Sequence, residues 1–170
     1  MDLGYFGTSV YSWFGNIFDL SEYRGLDATA YLENVFSEDA GAIRWLDETI
    51  EGQPVVLEAN GDSYSDYERV SAMTGLPTVL GWYVHEWLWR GDSCRLKMSA
   101  PRNVKQMYTS TDTNEVLRLL EQYHVTYIFV GSKEKEKYGD ALNELLLQSI
   151  GDIVYQDTAS GTYILQVQDT

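Results

Sequence analysis

The residues best equipped for chemistry lie between Glu58 and Asp92. This stretch carries the carboxylates Glu58, Asp62, Asp66, Glu68, Glu86 and Asp92, the cations Arg69 and Arg90, the imidazole of His85, and the indoles of Trp82, Trp87 and Trp89. Ser63, Tyr64, Ser65 and Thr74 add hydroxyls. Glycoside cleavage needs two carboxyl groups on either side of a sugar, and aromatic rings often support the ring, so these residue types fit that reaction. Spacing along the chain does not fix spacing in space, however. The plainer role for any one of these acids is to close a turn or to pair with Arg69 or Arg90.

Other chemistries find less support. His85-Glu86 begins like an HExxH zinc helix, but Trp89 stands where the second His belongs. A metal would then need His85 and Glu86 together with remote acids such as Glu58 or Asp62, and neither a metal nor a cofactor is expected. Ser63 and Ser65 lack a GxSxG elbow, and the chain has no GxGxxG or GxxxxGKT loop to cradle phosphates. Cys94 is the only cysteine, which excludes an intramolecular disulfide and a cysteine-based zinc site.

The formal charge of −14, from 26 acidic and 12 basic side chains, repels phosphate backbones and argues against a nucleic-acid partner. Against that background Arg90, Arg95, Lys97, Arg102 and Lys105 cluster between Trp82 and Tyr108, where only Glu86 and Asp92 oppose them. They form a candidate anion-binding face or a solvated run. With 170 residues, 44% of them hydrophobic, the chain is long and apolar enough to fold around its own core. It has no run of eighteen apolar residues, and Met1-Asp2-Leu3-Gly4 does not resemble a signal peptide.

The elements that must hold these groups are legible in part. Residues 1–36 are broken by Gly4, Gly7, Gly15 and Gly25 and read as an irregular, aromatic-rich arm. Residues 37–170 read as one α/β domain. From Ser37 a helix is expected, with Ala42, Ile43, Leu46 and Ile50 on one face and Gly52 closing it. Pro54–Ala59 reads as a buried parallel strand opening into the polar loop at Asn60, which is where open α/β sheets gather ligands. Thr78–Gly81 reads as a further short strand, and Pro101–Tyr108 as a helix with proline in its first turn. Asp112 and Glu115 suggest a capping box before a helix carrying Val116, Leu119, Leu120 and Tyr123. Val125–Val130 is the best strand, Lys133–Gln148 reads as one helix, and Ile153–Tyr155 with Tyr163–Leu165 form a hairpin. The fold class is thus α/β, with a mixed, mostly parallel open sheet, helices on its faces in a Rossmann-like three-layer arrangement, and a C-terminal hairpin.

One further pattern emerges from ordered motifs. Leu26-Asp27, Tyr31-Leu32, Asp39-Ala40-x-Ala42-Ile43-x-Trp45-Leu46, Glu58-Ala59, Gly61-x-Ser63-Tyr64-Ser65-x-Tyr67-x-Arg69-Val70-Ser71, the run from Thr74 to Trp82, His85-Glu86 and Trp89-Arg90-Gly91 follow one another. Together with Tyr108, Leu119-Leu120, Tyr123 to Gly131, Glu134 and Tyr138, this pattern resembles the C-terminal region of the Chlor_Arch_YYY polytopic membrane proteins of bacteria and archaea. Tyr83-Val84 and Leu88 depart from it. The resemblance implies an extracytoplasmic domain following many membrane spans, in a protein similar to GT-C glycosyltransferases. Its implied partners are the membrane-spanning part of the same protein and a lipid-linked sugar or glycan. The catalytic acid of such enzymes lies in the membrane part, so the domain itself is expected to bind donor or acceptor without catalysing transfer.

Residue chemistry and resemblance together single out Glu58, Asp62, Tyr64, Ser65, Arg69, Thr74, Trp82, His85, Glu86, Trp89 and Arg90 as candidate ligand-binding residues. Arg69 and Arg90 are the expected charge partners of a phosphate, and Trp82 or Trp89 the stacking surface. The competing expectations are a free-standing carboxylate-dependent glycosidase, and a docking domain with no small ligand.

Overall fold

The computed structural model describes residues 29–82, 84–85, 88 and 99–168. The chain divides into two compact units, residues 1–30 and 31–170, and the second holds the sheet.

Its centre is a four-stranded sheet. Strands β1 (Val55–Leu57), β2 (Val125–Val130), β3 (Gly151–Gln156) and β4 (Tyr163–Val167) lie in the order β1-β2-β4-β3. β1 runs parallel to β2, with Leu57 opposite Ile128, whereas β2–β4 and β4–β3 are antiparallel. The sheet is mixed and the tail forms a hairpin, as expected. Its parallel part is smaller than expected: it comprises β1, β2 and a single bridge from Val56 to Thr78 in place of a full strand at Thr78–Gly81.

Helices cover both faces, because neighbouring residues of each strand point to opposite sides. Val56, Phe129 and Ile164 face one core, which also holds Leu32, Phe36, Ile43, Leu46, Val70 and Leu76. These come from α1 (Thr29–Val35), α2 (Ala40–Thr49), α3 (Arg69–Thr74) and the turns beside them. Leu57, Ile128, Val130 and Leu165 face the other core. There they meet Val104 and Met107 of α4 (Ala100–Thr109), Leu119 and Leu120 of α5 (Thr113–Gln122), Tyr138 of α6 (Ser132–Tyr138), and Leu147 of α7 (Glu144–Ile150). Between the layers the buried Tyr108 hydroxyl sits 3.0 Å from the carbonyl of Leu57 and 2.7 Å from that of Phe129, spanning β1 and β2.

One cap and two helix boundaries differ from what the sequence leads one to expect. Asp112 does cap α5, accepting from Asn114 N–H at 3.0 Å and Glu115 N–H at 3.3 Å. The box is left open, because Glu115 takes a hydrogen bond from Gln106 and Asp112 N–H bonds instead to Ser110. α2 starts at Ala40 and not at Ser37, and it lacks a side-chain cap because the Asp39 carboxylate is engaged by Arg69. The expected helix Lys133–Gln148 is broken in two. Gly139 turns to φ 47, a short 3-10 turn spans Gly139–Ala141, and the Asn143 side chain recaps the chain by accepting from Leu146 N–H at 3.2 Å. Gly139 leaves the helix at low cost, and Asn143 then offers a cap that an interior helix position would waste.

Candidate functional site

The loop leaving β1 is built on a buried ionic cluster. Arg69, at the start of α3, is 2% exposed. Its Nε lies 2.7 Å from Asp39 Oδ2, and its Nη2 lies 2.8 Å from Glu134 Oε2. Its guanidinium stacks 5.1 Å from the centre of the Phe129 ring. The two acids are themselves saturated. Glu134 accepts the N–H groups of Ala59 and Gly131 at 2.8 and 2.9 Å, while Asp39 accepts from Ser132 N–H, Ser132 Oγ and Thr162 Oγ1. Burial pushes Asp39 up, but Arg69 and the bonds from Ser132 outweigh it and hold the carboxyl below its ordinary value. A charge removed from water this completely is tolerable only when it is well paired, and here Asp39 accepts one guanidinium hydrogen bond and Glu134 two.

Glu58, just past β1, caps α3: its two oxygens accept Val70 N–H at 2.9 Å and Ser71 N–H at 2.8 Å. Burial pushes its carboxyl up to about 7 against the pull of those N–H groups and of Arg69. Thr74 closes the other end of α3, donating to the Val70 carbonyl at 2.8 Å and accepting from Leu76 N–H.

Between these anchors, residues 60–68 form a tight loop. Glu68 Oε1 accepts Gly61 N–H at 2.8 Å and joins the two ends. Ser65 folds onto the Asp62 carbonyl, and Lys137 of α6 donates to the carbonyl of Asn60 and lies 5.1 Å from the Tyr67 ring centre. A side chain at Gly61 would sit 2.3 Å from Tyr67 Cδ2, so only glycine admits this closure. Tyr64 and Glu68 take left-handed backbone angles, φ 62 and 60, which turn the loop tip outward.

The tip carries an aromatic face. Tyr64, 84% exposed, lies with its ring centre 5.5 Å from Trp82 and 5.0 Å from His85, and Trp82 is 5.3 Å from His85. The Trp82 indole N–H reaches the Tyr67 carbonyl at 3.4 Å, and His85 Nδ1 is 2.7 Å from Ser63 Oγ. This arrangement offers one freely exposed ring, two flanking rings and a Ser–His polar edge, with the exposed Asp62 close by in the loop. Stacking of a ring-shaped ligand with hydrogen bonds along its rim is within its reach.

The candidate residues therefore separate. Tyr64, Trp82 and His85 come together, and Asp62 lies exposed on the same loop. Arg69 and Glu58 do not join them: both are sealed into the interior and committed to protein partners, as the desolvation cost of a buried charge requires. Thr74 and Ser65 serve a helix end and a turn. Glu86, Trp89 and Arg90 lie outside the described residues, as do Trp87, Asp92, Arg95 and Lys97. Arg102 and Lys105 are exposed on α4. Among the described residues no His, Cys, Asp or Glu side chains gather to hold a metal. Asn60, Tyr67 and Lys137 escape the sequence reading. Nothing in the sequence marks Lys137 as a partner of Asn60, which lies 77 residues before it.

No family model matches the chain, so the resemblance described from its motifs has none behind it, and no curated protein matches it either. Among solved structures, the C-terminal globular domain of an oligosaccharyltransferase from Archaeoglobus fulgidus is similar to it, with a TM-score of 0.47 and 11% identity over 75% of this chain and 95% of that one. A likeness at this level carries nothing about ligands or chemistry from one chain to the other. No helix among the described residues is long and apolar enough to cross a membrane.

Proposed function

We propose that residues 31–170 are a carbohydrate-binding domain that presents a glycan on the Tyr64–Trp82–His85 face and does not itself cleave or transfer it. The observation that carries this reading is the exposed Tyr64 ring set against two further rings at the loop that follows a parallel strand. Its setting, drawn from the ordered sequence motifs, is the extracytoplasmic side of a polytopic membrane protein of GT-C type, where the domain assists transfer of a lipid-linked sugar. The glycosidase alternative loses ground because both Glu58 oxygens serve helix N–H groups, leaving that acid no role opposite a second carboxyl.

Titrating neutral oligosaccharides of glucose, mannose and N-acetylglucosamine into the chain tests the binding, with the Trp82 indole N–H followed by NMR. Saturable shifts are expected, with Tyr64→Ala weakening binding by about 3- to 10-fold and leaving the melting temperature unchanged. Turnover of a glycoside by the purified chain would overturn the non-catalytic reading. The docking alternative draws on Val84 and Leu88, 40% and 63% exposed, which follow Trp82 in the chain. It is favoured if no oligosaccharide shifts the indole signal while Leu88→Ser abolishes capture of the parent membrane part.

A further inference from the structure

Glu68 has a feature that the glycan reading does not use. It is 5% exposed; one carboxyl oxygen accepts Gly61 N–H, and the other, Oε2, is buried with no hydrogen-bond partner. A bare carboxylate left half unsatisfied in such a seat is costly, whereas a neutral acid with Oε1 as acceptor and Oε2 carrying the proton is much less so. The groups facing it are Glu58 from the end of β1, Arg69 from α3 and Lys137 from α6. The Gly61 N–H and the two cations favour the ionised form, but the N–H serves one oxygen alone, Arg69 is committed to Asp39 and Glu134, and Lys137 to Asn60. Glu58 opposes it. Burial, aided by Glu58, accordingly holds the Glu68 carboxyl up at about 8.

We infer that Glu68 is a proton-operated latch: as the neutral acid it closes residues 60–68 on Gly61 and holds the aromatic face together, and as the carboxylate it leaves its seat and releases the loop. Strain favours the release, since Tyr64 and Glu68 both sit in left-handed backbone conformations that cost about 1 kcal/mol or more each. The face is coupled to the loop mechanically, because the Trp82 indole bonds to the Tyr67 carbonyl and His85 bonds to Ser63. Opening at Gly61 therefore reaches all three rings. The latch stands on the buried seat of Glu68 and the geometry of its loop, and holds whichever ligand the face takes.

A pH titration of the ¹⁵N-labelled full chain tests it without any ligand. The Gly61 amide and the Trp82 indole N–H should move together with one midpoint near 8. Both should stay flat in Glu68→Gln, which keeps the acceptor for Gly61 but cannot ionise. In Glu58→Gln the inflection should persist at a lower midpoint, since a like charge is gone. A Gly61 amide that is flat, or that titrates in the ordinary carboxylate range, would overturn the proposal. So would a Gly61 inflection with no movement of Trp82, because the carboxyl would then titrate without opening the loop. If Glu68→Gln fails to fold, the wild-type and Glu58→Gln titrations decide the matter unaided.

Discussion

Arg69 shows how far a residue's type can mislead about its task. Its charge and place in the polar loop suggested anion recognition, yet it is enclosed by Asp39, Glu134 and Phe129. Removing one partner of a buried ion pair strands the others, so Arg69→Ala should lose about 3–5 kcal/mol in urea unfolding. Its effect on ligand binding should track the unfolded fraction and nothing more. The partners, Asp39 and Glu134, lie 30 positions before and 65 positions after it, and no local pattern announces such a triad. Trp82, Tyr64 and His85 were legible because indole, phenol and imidazole fall within one polar stretch that lacks the apolar period of a core element. Titration supplies a second expectation at this scale. Glu58 and Glu68 hold folded-state pKa values of about 7 and about 8, above the ordinary 4.5, so the folded chain binds the extra protons. Their contribution to stability is present below the ordinary value and is lost as pH rises through the folded ones. Asp39 acts in the opposite sense, contributing above its ordinary value and losing that contribution as pH falls through its lowered one. Melting temperature should therefore peak in mildly acid buffer and decline toward pH 8.5, with the decline reduced in Glu68→Gln.

The broken segment from α6 to α7 illustrates what helical periodicity leaves out. Tyr138, Leu146 and Leu147 share one core while Leu145 is exposed; on a continuous helix Leu147 would lie opposite Tyr138, and the break is what brings it round. Gly139 was the available signal: its φ of 47 suits glycine, and no atom crowds the space a methyl group would take. Gly139→Ala should thus cost only the backbone strain, about 1–2 kcal/mol. Gly131 is the contrasting case, since a methyl there would lie 2.2 Å from Asp39 Oδ1 and 2.6 Å from Phe129 Cε1. Gly131→Ala should disrupt the ionic cluster and leave the chain largely insoluble on expression. Asp112→Ala, which removes a side-chain cap from α5, should cost about 1 kcal/mol by thermal or chemical unfolding. The strands were easier to read than the helix ends, because β2 and the hairpin strands are β-branched and aromatic runs bounded by turn residues. Thr78–Gly81 misled for want of length: among the described residues it joins the sheet as an isolated bridge between Thr78 and Val56.

Across the whole molecule the net charge of −14 sets the solution behaviour. Self-repulsion opposes the compact state, so moderate salt should raise the melting temperature, and a fall on adding salt would count against surface repulsion as a controlling force. Strand order has a consequence of its own. β4 is the last of the four strands in the chain and lies between β2 and β3, while Thr162, next to it, bonds to Asp39 near the start of the domain. A nascent polypeptide therefore has no middle to its sheet, and no complete cage around its guanidinium, until Thr162 and the β4 residues have left the ribosome. Truncation before Tyr163 should yield a product that chaperones hold and proteases remove, and arrest-peptide force profiles should register a single folding event once Val167 has emerged.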